Sequence, residues 1–291
     1  MRASANGIEI EYETFGDHDG APLLLIMGLG CQLTLWENEF CEMLATRGCY
    51  VIRFDNRDVG LSTKFDSAGV PDMPSLLAAA TEGDKSVAPY LLEDMATDAI
   101  GLLDSLGVEK ASLVGVSMGG MIAQAMAIHF PDRVKAMVSI MSATGDPNEP
   151  RPKAEVLLQL MTPPPPGREA RIEQSVELWR MLSGPGFAFP EEQIRARCAR
   201  DYDRCFYPQG TSRQMAAIIA SDSRTEALGK LDLPTLIIHG DADPLIPVGC
   251  GRITAAAIPD AELMEIEGMG HDIPADLAMA FADAIAALAT E

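Results

Sequence analysis

Basic side chains are scarce in this chain. Lys and Arg together number 22 of 291 residues, against 43 Asp and Glu, for a net charge of −21. Nucleic acid is therefore not an expected partner, because phosphate recognition needs clustered cations, and an anionic membrane surface is disfavoured for the same reason. A charge of this size and sign serves solubility. Long hydrophobic runs are missing too. No stretch of about 18 apolar residues occurs, so no membrane span is expected, and Met1 to Gly7 carries no apolar run of the signal-peptide kind. None of the six cysteines (Cys31, Cys41, Cys49, Cys198, Cys205, Cys250) forms a C-x-x-C pair with zinc or redox spacing. Free thiols in a reducing cytoplasm account for them, with Cys198 and Cys205 read as core residues on one helix face. Neither a metal nor another cofactor is implied, and no internal repeat is visible.

What is present is an alternation of strands and helices. Ile8 to Phe15 alternates apolar and acidic residues, as a half-buried edge strand does. Leu23–Met27, Tyr50–Phe54, Ala111–Val114, Val134–Met141, Thr235–His239 and Glu262–Ile266 are further predicted strands, most of them continuously apolar. Helices are expected near Trp36–Thr46, Leu91–Leu106, Met118–Phe130, Val248–Ala257 and Pro274–Thr290. Such alternation argues for a mainly parallel sheet covered on both faces. The pattern breaks between Gly145 and Lys230. Pro147, Pro150, Pro152 and the run Pro163 to Pro166 punctuate its start, and helical segments near Glu169–Leu182, Glu191–Arg204 and Arg213–Leu228 follow. The expected organisation is a core of residues 1–144 and 231–291, with 145–230 as an inserted helical subdomain.

Between a predicted strand and a predicted helix stands Gly115-Val116-Ser117-Met118-Gly119. Strand, G-x-S-x-G and helix together describe a nucleophile elbow. The serine occupies a strained turn, and side chains two positions to either side would meet neighbouring backbone. Gly120 adds a third small residue where the helix must lie close to the sheet.

A serine hydroxyl needs a base beside it, and with only four histidines the search is short. His18 sits in a Gly- and Asp-rich turn, His129 closes the helix after the elbow, and His239 ends a strand before an acidic loop, where it packs or orders that loop. His271, in Gly268-Met269-Gly270-His271-Asp272-Ile273-Pro274, follows the last strand and reaches the carboxyl edge of the sheet with Ser117. The imidazole needs a carboxylate to fix its tautomer. Asp243, in the loop after His239, is preferred, with Asp241 and Asp146 as rivals. The order Ser117, Asp243, His271 is that of an α/β-hydrolase triad. One oxyanion donor is expected from the Met118 N–H and the second from Leu29, in the turn Met27-Gly28-Leu29-Gly30.

With these residues in hand, the chain resembles the α/β-hydrolase superfamily over nearly its whole length. Five pieces match in order: MGLG, FDNRDVGLS, GVSMGG, HGDADPLIP and GMGHDIP. The resemblance implies an eight-stranded sheet flanked by helices, with 145–230 as a cap. In the second piece Asp58 stands where glycine is usual, and Arg57 and Asp58 are expected to pair and hold the loop. Met27 stands where many members carry histidine. Both departures are similar to aclacinomycin-type methylesterases and related bacterial carboxylesterases, which implies hydrolysis of a small carboxylic ester through an acyl-enzyme on Ser117. A perhydrolase, an acyltransferase or a carbon–carbon hydrolase would use the same residues. A catalytically silent receptor on this fold commonly lacks a triad member, and none is missing here. Trp179, Met181, Leu182, Phe187, Phe189, Met215 and Ile218 are apolar residues of 145–230 expected to line an apolar substrate pocket.

Overall fold

Asn6 and Gly7 open the sheet with a hairpin. Their φ angles of 51° and 77° are those of a two-residue turn in which both central positions are left-handed, the geometry that Asn-Gly favours. The turn joins β1 (Arg2–Ala5) to β2 (Ile8–Phe15). The expectation that Ile8 to Phe15 forms the edge is thereby corrected: β1 takes the edge, and β2 is covered on both sides.

The computed structural model describes residues 1–290. After the hairpin come β3 (Ala21–Ile26), α1 (Asn38–Ala45), β4 (Cys49–Phe54), α2 (Met73–Thr81), α3 (Leu92–Ser105), β5 (Ala111–Val116), α4 (Met118–His129) and β6 (Val134–Ile140). The helices α5 (Ala154–Met161), α6 (Arg168–Leu182), α7 (Glu191–Arg204), α8 (Pro208–Ala220) and α9 (Thr225–Leu228) follow without an intervening strand. The chain then returns to the sheet with β7 (Thr235–Gly240), α10 (Val248–Ala257), β8 (Glu262–Ile266) and α11 (Ala278–Thr290). Two helices, α2 and α5, lie outside the sequence reading. The stretch expected as one helix from Arg213 is α8 and α9, separated by a break at Ser221–Arg224.

The eight strands lie in the order β1-β2-β4-β3-β5-β6-β7-β8. β2 pairs antiparallel with β4, and every later pair is parallel. Side-chain alternation divides the core in two. Leu24, Ile26, Leu113 and Ile237 face α3 and α4, while Leu23, Leu25, Val114 and Ile238 face α1 and α11. Burial on both faces is why these strands read as unbroken apolar runs. Within 145–230, α6 and α7 share a small core of Ile172, Val176, Ile194 and Cys198.

The strand order also positions the site. From β3 the chain moves outward to β4, then crosses back to β5 on the other side of β3. The loops leaving β3 and β5 therefore diverge at a switch point, where a crevice opens at the carboxyl edge.

Candidate active site

Ser117 is the hinge between β5 and α4, with φ 56° and ψ −120°. That is a costly conformation for an L-residue, and the surroundings hold it there. The Ser117 N–H donates to Ile140 O at 2.9 Å, and Ser142 Oγ donates to Ser117 O at 2.7 Å. The flanking glycines are required for space. A Cβ on Gly115 would run into Gly119 O, and one on Gly119 into Ile26 O. A Cβ on Gly120 would come within 2.6 Å of the Ser142 side chain.

His271 Nε2 lies 3.1 Å from Ser117 Oγ, and His271 Nδ1 lies 2.7 Å from Asp243 Oδ2. The other Asp243 oxygen accepts the Leu245 and Ile246 N–H groups, each at 2.8 Å. Burial by itself would raise the Asp243 pKa. The facing charge of His271, with His239 and the Ile246 N–H, overrides burial and holds the carboxyl down at about 2. His239 Nε2 donates to Ile246 O at 2.7 Å and sits 3.6 Å from Asp243 Oδ2, so it orders the same loop. The rivals are engaged elsewhere: Asp241 accepts the Gly268 N–H at 2.7 Å, and Asp146 accepts the Asn148 N–H at 2.8 Å. His18 and His129 are exposed and lie outside this cluster.

The turn after β3 approaches the serine from the side. A Cβ on Gly28 would lie 3.2 Å from Ser117 Cβ. Cys31 N–H donates to Gly28 O at 3.2 Å, and Gly30 has φ 67°, the signature of a type II turn. Asn56 Nδ2 holds Met27 O at 3.0 Å. Leu29 N–H donates to no protein acceptor among the described residues, and Met118, at the first position of α4, has no intrahelical partner for its N–H.

A cavity of about 490 Å³ adjoins this turn, with Leu29, Gly30, Trp179, Tyr202, Phe206 and Met215 in its wall. The wall stops short of Ser117 and His271. Cys198 also faces it, and burial pushes that thiol up to about 11. Of the expected pocket residues, Trp179 and Met215 line the cavity and the other five do not. Leu182 is buried, and its carbonyl accepts the His271 N–H at 2.8 Å. Phe187 packs on the sheet-side core, Ile218 packs toward α3 and α4, and Phe189 joins the small α6–α7 core under Arg180. Met181 is likewise outside the wall. Apolar spacing marks a buried helix face without saying which neighbour buries it.

The expected Arg57–Asp58 pair is also corrected. Arg57 forms a two-pronged bridge to Asp98 of α3, at 2.5 and 2.7 Å. Asp58 forms another to Arg213 of α8, at 2.8 Å on both prongs, and accepts the Tyr90 hydroxyl at 2.7 Å. Asp58 carries φ 68°, a left-handed backbone that explains why glycine suits this position and that aspartate tolerates. Adjacent side chains then diverge instead of pairing. Unforeseen as well are Arg197, which lies 4.6 Å over the Trp179 ring without a hydrogen-bond acceptor for its buried Nε, and Gln214, whose amide reaches the turn after β3. Neither stands in a motif that sequence could flag.

Residues 21–276 match the family model described as alpha/beta hydrolase fold. A rhodomycin D methylesterase of Streptomyces sp. (strain C5) is 31% identical over 283 residues, spanning 90% of this chain and 88% of the relative. A 3-oxoadipate enol-lactonase of Acinetobacter baylyi is 26% identical, spanning 91% and 87%. The crystal structure of the enol-lactonase from Burkholderia xenovorans LB400 superposes with a TM-score of 0.77 at 22% identity, over 100% of both chains.

Proposed function

The chain belongs to the alpha/beta hydrolase fold family, and on that premise we propose that it hydrolyses carboxylic esters through an acyl-enzyme on Ser117. The observation that carries the reading is the continuous path from Ser117 Oγ through His271 to Asp243, at 3.1 and 2.7 Å. Ser117 Oγ attacks the ester carbonyl and passes its proton to His271 Nε2. Asp243 keeps the ring in the required tautomer and stabilises the imidazolium. The oxyanion is met by the Leu29 and Met118 N–H groups. Collapse expels the alcohol, protonated by His271. Water then repeats the sequence at the acyl carbon and releases the acid.

In this reading residues 145–230 form a cap over a core of 1–144 and 231–291, and the cavity beneath the cap receives an apolar acyl or alcohol part. The methylesterase relative supports a methyl ester of a bulky acid as the first substrate to try. The test is a panel of p-nitrophenyl esters of rising acyl length beside methyl esters of bulky acids. Turnover is expected, with a mass increment on Ser117 after a fluorophosphonate probe. Ser117→Ala should lower kcat by about three orders of magnitude or more, and near-normal turnover by that variant would sink the assignment.

A further inference from the structure

We propose that Gln214, on α8, is a positioning residue for the oxyanion donor Leu29, so that helix α8 sets the geometry of the reaction centre. The inference rests on the ester-hydrolase reading above. Gln214 is fully buried and both ends of its amide are engaged. Oε1 accepts the Gly30 N–H at 2.8 Å, and Nε2 donates to Arg57 O at 2.8 Å. The first contact spans 184 residues of sequence.

The turn Gly28-Leu29-Gly30-Cys31 explains why this contact matters. Its outer peptide, Gly28–Leu29, carries the proposed donor N–H on one side. On the other side is the Gly28 carbonyl, fixed by Cys31 N–H at 3.2 Å. Its central peptide, Leu29–Gly30, is the part free to flip, since type I and type II turns differ mainly in that peptide's orientation. Gln214 holds the N–H of this central peptide. A second contact reinforces it: a Cβ on Gly30 would lie 2.8 Å from Thr211 Oγ1, so α8 rests directly on the turn. Without an acceptor at position 214, the Gly30 N–H is left buried and unpaired, and a flip becomes the way to relieve it. The flip leaves the Leu29 N–H in its own peptide, but it breaks the seat of the turn on α8, so the turn shifts against Ser117 and carries the Leu29 N–H off the position an oxyanion occupies.

The experiment compares kcat and KM of the parent, Gln214→Leu and Ala217→Gly on whichever ester of the panel turns over fastest, with melting temperatures alongside. Ala217→Gly loosens the same helix without touching the Gly30 contact. Gln214→Leu should lose roughly 10- to 100-fold in kcat with KM changed less than about threefold, because the oxyanion interaction exists only in the transition state. Its affinity for a boronic acid inhibitor should fall in parallel. Ala217→Gly should keep kcat at a comparable melting temperature. Parental kcat in Gln214→Leu, or equal losses in both variants, would overturn the positioning role alone. A parent that turns over no ester would overturn the underlying reading and the role together.

Discussion

At the scale of single residues, the elbow concentrates strain and close contact within five positions. Ser117 holds a left-handed φ, which costs on the order of 1–3 kcal/mol, and Gly119 lies so near Ile26 O that no side chain fits. Gly119→Ala is therefore expected to push α4 off β3 and cost about 2–4 kcal/mol, read as a lower melting temperature with loss of turnover. Asp243 makes a second, pH-dependent prediction. Its pKa is depressed from 3.8 to about 2 in the folded protein. Its contribution is thus complete above the unfolded value and disappears as pH falls through the folded one. Asp243→Asn should be less stable than the parent by about 2 kcal/mol above pH 4 or so, with the gap closing toward pH 2. Urea unfolding of both proteins across that window measures it, and a gap constant with pH would contradict the assigned cause.

At the scale of elements, the hairpin and α8 behave differently. Gly7 has φ 77° and no atom within reach of an added Cβ, so Gly7→Ala isolates the conformational cost of the turn, about 1 kcal/mol, on the β1 edge. Hydrogen exchange confined to Arg2–Phe15 would register it. α8 instead depends on a buried ion pair, Arg213 with Asp58, both 1% exposed or less. Arg213→Met strands a buried carboxylate and should destabilise by about 3–5 kcal/mol, while Asp58→Asn with Arg213→Met should recover much of that loss. Denaturant midpoints of the single and double variants test the coupling. Most elements were legible in the sequence because apolar periodicity is a local property: the strands and flanking helices follow it within a few residues. α5 was not, because the prolines around it read as a break, whereas they bound a helix running from Ala154 to Met161. β1 was not, because four residues are too few to show a period.

Across the whole molecule, the net charge of −21 means self-repulsion that salt should screen. The melting temperature is expected to rise by about 2 °C between roughly 10 mM and 0.5 M NaCl, a shift of about 1 kcal/mol for a chain of this size. Scanning calorimetry at the two salt concentrations checks this. The amino-acid order already specified a strand–turn–helix around Ser117 and a histidine and an aspartate on loops leaving the same sheet edge. These follow from short-range backbone preferences and from the direction of parallel strands. Tertiary packing alone decided which partners meet across long separations. It sent Asp58 to Arg213 and Arg57 to Asp98, kept Leu182, Phe187 and Phe189 out of the cavity wall, and brought the Gln214 amide to Gly30. Such contacts depend on where α8 and its neighbours settle on the sheet, and that placement is the sum of many buried contacts that no local pattern encodes.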